Sequence, residues 1–308
     1  MRMQGVSKTK SGIIRIGVGG WTYEPWRGTF YPEKHPQKRE LEYAASQLTS
    51  IEVNGTYYGS QKPASFAKWR DETPDGFVFA LKAPRFATNR RVLAEAGSSI
   101  DRFFASGVAE LGDKLGPINW QFLPTKAFDP ADFEAFLNLL PRSVGGREIR
   151  HAVEVRHDSF RTPEFVALLR QHGIAAVLAG DGEYPLIADI TAPFVYARIM
   201  GTQEAEPLGY AGSALDLWAD RARSLASGIA PDGLETLAPA KADGVARDVY
   251  LYVISGAKVR NPAAAIALIE RVGNSASSSA SADANRGEIA TQAAIQDALG
   301  RVGRPPQP

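Results

Sequence analysis

The 308-residue chain contains no cysteine, so it can form no disulfide, no thiolate nucleophile and no cysteine-ligated zinc or iron–sulfur centre. It also lacks an apolar run long enough to cross a membrane. The first twelve residues carry Arg2, Lys8 and Lys10 but no apolar segment of the kind found in a secretory signal. By elimination, we expect a cytoplasmic protein.

A large excess of charge of one sign is missing as well. The chain has 35 Lys and Arg against 34 Asp and Glu, a formal net charge of +1. This balance gives no strong positive field of the kind that favours nucleic acid as a partner. A small-molecule ligand is therefore the expected partner, nucleic acid is a less favoured one, and a membrane is not expected.

Motifs that bind phosphate or a catalytic metal, or that carry a catalytic nucleophile, are also absent. The run from Gly17 to Gly20 resembles part of a dinucleotide fingerprint, but a loop rich in Trp, Tyr and Pro follows it instead of a helix. There is no P-loop, no Gly-x-Ser-x-Gly elbow and no zincin helix. Motifs alone therefore name no reaction.

What is present is an alternation of strand-like and helix-like segments. Short apolar runs of strand length occur at residues 13–17, 50–54, 77–82, 118–122, 152–156, 174–178, 194–199 and 249–255. Segments with apolar residues at three- and four-residue spacing lie between or after them, at 41–48, 63–70, 100–115, 130–139, 163–172, 215–226 and 262–272. This pattern predicts an α/β protein with a TIM-like (β/α)8 barrel, which needs about 250 residues.

Two stretches depart from the regular alternation. Residues 181–193 offer no long helical pattern, so the barrel is expected to be irregular between strands six and seven. Residues 227–247 are rich in Gly, Pro and Ala and predict a long surface loop. We divide the chain into a flexible N-terminus (1–12), a barrel domain (13–272) and a mobile tail rich in Ser, Ala and Pro (273–308).

Polar side chains interrupt or end several of the predicted strands. Catalytic groups of such barrels lie at the carboxyl ends of the strands, so we expect these side chains to converge. Glu52 and Glu154 are the candidate catalytic residues, because carboxylates near cations can take different pKa values and so serve as acid and base. The candidate ligand-binding residues at these strand ends are Asn54, Lys82, Gln121, Arg156, His157 and Arg198. A structural ion-pair network, such as Glu52 with Lys82 and Glu154 with Arg156 or Arg198, is the alternative.

Three further features of the sequence are candidates for binding a ligand or a metal ion. The aromatic loop from Gly20 to Pro32 includes Trp21, a candidate ligand-binding residue that could roof the pocket, although such aromatics also cap cores. The basic residues Arg85, Arg90 and Arg91 suit phosphate or a nucleic-acid backbone, or form a solvated surface. His157 is the one histidine well placed for a metal, with Glu52, Glu154 and Asp181, but we predict neither a metal nor another cofactor.

Several of these segments together resemble a known family. They are Ile16-Gly-Val-Gly-Gly-Trp-Thr-Tyr23, Phe30-Tyr-Pro32, Ile51-Glu-Val-Asn54, Trp69, Thr73-Pro-Asp-Gly-Phe77, Ala80-Leu-Lys-Ala-Pro84 and Ala152-Val-Glu-Val-Arg-His157. In this order they resemble the YecE-like family, domain of unknown function 72, over residues 14–272. The resemblance implies a TIM-like barrel. It also implies a shared pocket, without roles, at Trp21, Glu52, Asn54, Lys82, Gln121, Glu154, Arg156, His157 and Arg198.

The chain departs from the family pattern at two places. The family often has Arg-Leu-His-Gly after strand seven, where this chain has Arg198-Ile-Met-Gly201. It often ends strand eight in paired asparagines, where this chain has Ile254-Ser-Gly-Ala-Lys258. Our leading hypothesis is an enzyme that acts by acid/base chemistry on a small, polar, anionic ligand bearing a sugar or phosphate. The alternatives are a nucleic-acid-binding or processing protein and a non-catalytic barrel that binds a metabolite.

Overall fold

The computed structural model describes residues 11–240 and 243–273. Most of the predicted flexible N-terminus and all of the predicted tail beyond residue 273 lie outside the described residues. Within the described ranges, no helix has both the length and the apolarity of a membrane span.

Eight parallel strands form one closed barrel. The strands are β1 (Ile14–Gly19), β2 (Ser50–Val53), β3 (Val78–Lys82), β4 (Leu115–Gln121), β5 (His151–Glu154), β6 (Ala175–Gly180), β7 (Phe194–Ile199) and β8 (Asp248–Val253). Each strand pairs with its neighbour in chain order, and β8 returns to β1 through pairs such as Val18 with Val253. The predicted (β/α)8 barrel is confirmed. A short antiparallel pair, Ser143–Val144 with Arg147–Glu148, precedes β5.

Helices connect most of the strands. They are α1 (Glu40–Gln47), α2 (Gly55–Tyr58), α3 (Pro63–Asp71), α4 (Arg85–Thr88), α5 (Gly97–Ala105), α6 (Pro130–Leu139), α7 (Pro163–His172) and α8 (Gly212–Ala226), and residues 261–273 are helical too. Single 3-10 turns or segments occur at Glu24–Trp26, Gln37–Arg39, Leu93–Ala96, Val108–Lys114, Asp158–Phe160 and Lys258–Arg260. Pro130 and Pro163 begin their helices as predicted, where a missing N–H has no cost.

The predicted helix over residues 100–115 is only partly correct. Helix α5 ends at Ala105, because Gly107 adopts a φ of 105° that an α-helix does not allow. A 3-10 segment with a second positive φ, 57° at Gly112, leads from there into β4, which begins at Leu115. The spacing of apolar residues continues beyond α5 because Val108 and Leu111 of the 3-10 segment are also buried in the core.

The predicted irregular sector lies between β6 and β7. Residues 181–193 contain no helix, and the long loop that follows α8 packs against them. The buried carboxylate of Asp189 accepts hydrogen bonds from the backbone N–H groups of Leu237 (2.8 Å) and Ala238 (3.0 Å). The loop is therefore held against this helix-free sector through Asp189.

The apolar residues form two layers, because successive side chains of a strand point to opposite faces. Phe79 and Leu81 of β3 face outward and pack in the main core between barrel and helices. Val78 and Ala80 face inward with Tyr196 and other residues of a smaller core inside the barrel. Lys82 is the next inward-facing residue of β3. The alternation that builds the inner core therefore places a charged side chain at the carboxyl end of this strand.

Candidate functional site

Five charged side chains meet at the carboxyl end of the barrel. They are Glu52 on β2, Lys82 on β3, Glu154 on β5, Arg156 just after β5 and Arg198 on β7, and we call them the charged cluster. Glu52, Lys82, Glu154 and Arg198 are buried, and the Arg156 side chain is 17% exposed. Because a buried charge requires a compensating partner, the contacts among them decide what the cluster can do.

Arg198 joins both carboxylates across the inside of the barrel. Its Nη2 donates to Glu52 Oε1 at 3.0 Å, and its Nη1 donates to Glu154 Oε2. Tyr196, two residues earlier on the same face, donates its hydroxyl to Glu52 Oε2 at 2.6 Å. Burial opposes the charge of the guanidinium, but Glu154 and Glu52 raise the pKa of Arg198 above its ordinary value. Arg198 is thus permanently charged.

Glu154 is held by several donors. Besides Arg198, it accepts from Arg156 Nε at 2.9 Å and from Asn119 Nδ2 at 3.3 Å. Burial alone would raise its pKa, but the charges of Arg198 and Arg156 hold the pKa of Glu154 below its ordinary value. The side chain is therefore a stable carboxylate that orients two arginines. Arg156 also lies 4.1 Å from the centre of the Tyr184 ring and donates to its hydroxyl at 3.2 Å.

Lys82 has no such partner. Its side chain is 6% exposed, and its ammonium has no hydrogen bond or ion pair with any residue in the described ranges. Nζ lies 4.3 Å from the centre of the Tyr57 ring, a cation–π contact. Burial, reinforced by the charge of Arg198, lowers the pKa of Lys82 from 10.5 to about 8. The two carboxylates that could pair with it are bonded to arginines instead.

Two buried polar atoms near these residues also have no partner within the described part of the chain. They are Arg198 Nε and Asn119 Oδ1. Gln121 lies beside them, with its Oε1 3.5 Å from Arg198 Nη1. Buried polar atoms are normally hydrogen-bonded, so an unsatisfied donor and acceptor in one place are unusual.

The remaining predicted site residues make local contacts of their own. Asn54 follows β2, and its amide nitrogen lies 2.8 Å from the point where a Cβ on Gly19 would be, so Gly19 leaves room for it. His157 caps a 3-10 turn, with Nδ1 accepting from the backbone N–H of Ser159 at 3.2 Å. Trp21 is partly buried, and its ring packs edge-on against Trp69 beside the outer core, with the ring centres 5.3 Å apart.

The rest of the aromatic loop also packs into the outer core. Trp26 and Tyr31 are buried, with ring centres 6.4 Å apart. The Trp26 indole donates to the carbonyl of Lys258 at 2.9 Å and so ties the first loop to the last one. Trp26 and Tyr31 therefore cap the outer core, and a roof formed by the other rings of this loop stays a prediction.

Sequence reasoning missed four residues of the site. Asn119 lies two positions before Gln121, and Tyr196 lies two positions before Arg198, so the alternation of a strand places each pair on one inward face. Strand periodicity could therefore have identified both. Tyr57 and Tyr184 lie outside the strands, and no pattern in the sequence marks them.

The described residues contain no group of three or more His, Asp or Glu side chains arranged to hold a metal ion. Asp181, considered with His157, accepts instead from the indole of Trp218 at 2.7 Å. The carboxylates of Glu52 and Glu154 are engaged by arginines. The geometry therefore gives no support to the oxygen-rich metal site considered from the sequence.

A cavity of about 490 Å3 opens at the opposite, amino end of the barrel. Its charged side chains compensate one another: Arg147 pairs with Asp113, and Arg15 and Arg150 share Asp248 at 3.8 and 3.2 Å. The amino end of such a barrel serves stability rather than catalysis. We therefore place the candidate site at the carboxyl end.

Comparison with known proteins identifies the family. The model of the family described as "Protein of unknown function DUF72" matches residues 15–287. The chain belongs to the DUF72 family. The DUF72 chain is 28% identical over 148 residues to the UPF0759 protein YecE of Escherichia coli K12, a match that covers 48% of the chain and 50% of YecE. It is 27% identical over 159 residues to the UPF0759 protein YunF of Bacillus subtilis, covering 50% of the chain and 54% of YunF.

Solved DUF72 structures share the fold. A DUF72 family protein from Thermotoga maritima matches with a TM-score of 0.66 and 21% identity, covering 85% of this chain and 99% of that one. A DUF72 family protein from Enterococcus faecalis matches with a TM-score of 0.62 and 16% identity, covering 85% and 96%. At such identities the likeness establishes the fold alone. The match to the curated DUF72 relatives spans about half their length.

Proposed function

We propose that this barrel is an enzyme that binds a small anionic ligand at the charged cluster and exchanges a proton with it through Lys82. The observation that carries the proposal is the buried ammonium of Lys82, which has no acceptor within the described residues although two carboxylates lie in the same cluster. A structural lysine at this depth would be paired, since an isolated buried charge is costly.

The charges of the cluster favour an anion. Three cations, Lys82, Arg156 and Arg198, face two carboxylates, so one positive charge is in excess when Lys82 is protonated. Arg156 is the partly exposed cation of the three and so is the one suited to meet a ligand from solvent. The unsatisfied Arg198 Nε and Asn119 Oδ1 add a donor and an acceptor to the same site. These features support a ligand that is negatively charged and rich in oxygen.

Proton exchange is best assigned to Lys82. A group transfers protons most effectively when its pKa lies near the working pH, and burial lowers the pKa of Lys82 to about 8. The lowered pKa of Glu154 makes that residue a weak base and a poor acid near neutral pH. We therefore propose that Glu154 and Glu52 act as positioning residues for the arginines. The catalytic roles predicted for them from the sequence stay predictions.

Thermal unfolding with two anions tests the proposal. Inorganic phosphate and malonate are expected to raise the melting temperature of the wild type in a saturable way, because each binds only the folded protein. Lys82→Met should abolish the shift. Lys258→Met is the matched control, because Lys258 also lies over a tyrosine ring, 4.2 Å from the centre of Tyr23, outside the cluster.

Three outcomes oppose the proposal, two from the melting experiment and one from an activity screen. An unchanged shift in Lys82→Met would remove Lys82 from the anion site. A shift that does not weaken as the pH is raised through 8 would contradict binding to its ammonium, since that group loses its charge there. Saturable binding of every anion without turnover of any metabolite in an activity screen would favour the non-catalytic barrel instead.

A second function has one observation in its favour. Tyr58 and Phe86 are 64% and 60% exposed, and the guanidinium of Arg85 lies 5.9 and 5.5 Å from their ring centres. Exposed aromatic rings beside arginine are suited to stack the bases of single-stranded nucleic acid. Fluorescence anisotropy with a labelled oligonucleotide tests this surface. Phe86→Ala should weaken binding by about 1–3 kcal/mol, whereas Leu217→Ala, another exposed apolar side chain, should not.

A further inference from the structure

We infer that Lys82 is a nucleophile that forms a Schiff base with the carbonyl carbon of a small anionic aldehyde or ketone. This inference rests on the proposed function, because the anionic group of the substrate is held by the charged cluster. It goes further in naming a covalent step and a class of substrate.

The position of Lys82 is the first argument. It is the last residue of β3, its side chain continues the inward series of Val78 and Ala80, and it ends at the face of Tyr57. A lysine kept for charge balance would contact a carboxylate. Both nearby carboxylates are instead bonded to arginines, so the fold leaves the amine free to meet a ligand.

The choice of residue is the second argument. The site already uses arginine for its two ion-paired cations, and arginine cannot lose its proton in a protein. Lysine is the basic side chain that can deprotonate, and only the free amine attacks a carbonyl. A lysine that served only to hold an anion would bind it best with an unperturbed pKa. The lowered pKa of Lys82, about 8, favours a nucleophile instead.

The surroundings of the amine favour its neutral form on balance. Burial and then the charge of Arg198 favour the free amine, with Arg156 adding to this effect, whereas Glu52 and Glu154 oppose it. Tyr57, the group under Nζ, has its own pKa raised by burial and stays a neutral phenol. A bound anion stabilises the ammonium form of Lys82. The fraction of the side chain that is still a free amine then attacks the carbonyl carbon of that ligand.

The substrate class follows from the same contacts. Arg156 is partly exposed and is fixed by Glu154 and Tyr184, so it can bind a carboxylate or phosphate through its guanidinium. The carbonyl group must then lie within a few bonds of that anion to reach Nζ. A short 2-oxo acid and a phosphorylated three-carbon ketone share this chemistry.

The covalent step needs no other reactant. The lone pair of the neutral amine forms the nitrogen–carbon bond while the π electrons of the carbonyl move to its oxygen. The nitrogen gives one proton to that oxygen, through solvent, to form a carbinolamine. The hydroxyl then takes a second proton from solvent and leaves as water, while the lone pair of the nitrogen forms the nitrogen–carbon double bond of the protonated imine. One water is released, and no oxidation occurs.

Reductive trapping tests the inference. The full-length protein is incubated near pH 7.5 with pyruvate, glyoxylate or dihydroxyacetone phosphate and then treated with sodium cyanoborohydride. The reagent converts an imine into a stable secondary amine, which adds the mass of the neutral probe less one oxygen atom. We expect one lysine adduct per chain, at Lys82, formed at least about tenfold faster than at an ordinary lysine because more of its amine is free. The carboxylate and phosphate probes compare the two anion types.

The controls use the lysines of this chain. Lys82→Arg keeps the positive charge but cannot form an imine, so the adduct should disappear. Lys258→Met removes the other lysine that lies over a tyrosine ring and should leave the adduct unchanged. Acetone, a carbonyl compound without an anionic group, should label Lys82 more slowly than pyruvate.

The outcomes separate the covalent step from the anion site. Labelling spread evenly over many lysines, or retained in Lys82→Arg, overturns the inference. If phosphate stabilises the wild type and not Lys82→Met, yet no probe is trapped, the Schiff base is refuted and the anion site stands. If neither effect occurs, both proposals are refuted.

Discussion

Replacing Lys82 by methionine removes the ammonium while keeping an unbranched side chain of similar length. The pKa of Lys82 is about 8 in the folded protein against 10.5 for an ordinary lysine. The unfolded chain therefore binds more protons between pH 8 and pH 10.5, so the stability of the wild type rises with pH across this window. Below pH 8 the full penalty for the buried ammonium applies, about 3 kcal/mol. We expect Lys82→Met to be more stable than the wild type at pH 7, with most of this gain lost by pH 10.5.

Urea unfolding followed by circular dichroism and tryptophan fluorescence measures this difference, provided the two transitions coincide. Lys82→Arg is the control, because a guanidinium stays charged and keeps the penalty at every pH in the range. The reasoning is refuted if the free-energy difference between Lys82→Met and the wild type is the same at pH 7 and at pH 10. A pH-independent difference would mean that the amine is solvated or paired.

Three further substitutions test the cluster and its surroundings by the same urea assay. Glu154→Gln should lower the free energy of unfolding by about 3–5 kcal/mol, because Arg198 loses a buried partner. The control Asp113→Asn, which breaks an ion pair whose carboxylate is 89% exposed, should lower it by less than about 1 kcal/mol. Equal effects of the two substitutions would show that the cluster is solvated. Tyr196→Phe should cost about 1.5–3 kcal/mol, since it removes a buried hydrogen bond to a carboxylate; a neutral result would argue against that bond. Trp21→Ala should destabilise the fold by about 2–5 kcal/mol while leaving the phosphate-induced melting shift intact, and a lost shift would return Trp21 to the site.

The barrel could be predicted from the sequence because its strands and its helices each give a regular spacing of apolar residues. Apolar runs marked all eight strands, and three- and four-residue spacing marked most helices. The same spacing extended the helix at residues 100–115 too far, because periodicity reports burial and not the backbone angles of Gly107 and Gly112. The end of that helix is set by Gly107, whose positive φ only the structure reveals.

The convergence of Glu52, Glu154 and Arg198 follows from strand alternation, and the structure brings them together. The ion pairs of Glu154 with Arg156 and Arg198 were predicted as the structural alternative. The partner of Glu52 could not be predicted, because it depends on the stagger of strands that are distant in the chain. The sequence suggested Glu52 with Lys82, whereas the forked guanidinium of Arg198 reaches both carboxylates and leaves the lysine alone. The direction of the Trp21 side chain could not be chosen from the sequence either, since a loop residue can turn to either side of its strand.

The ties made by Arg198 have a consequence for the order of folding events. Arg198 and Glu52 are 146 residues apart in the chain, and Arg198 and Glu154 are 44 apart. Contacts of such separation form late, because the entropy of the intervening chain must be lost first. Mutations of Glu52 should accordingly accelerate unfolding and leave the folding rate nearly unchanged. The ion pairs at the carboxyl end would then form after the barrel has closed. They would slow its unfolding and so set the lifetime of the native state.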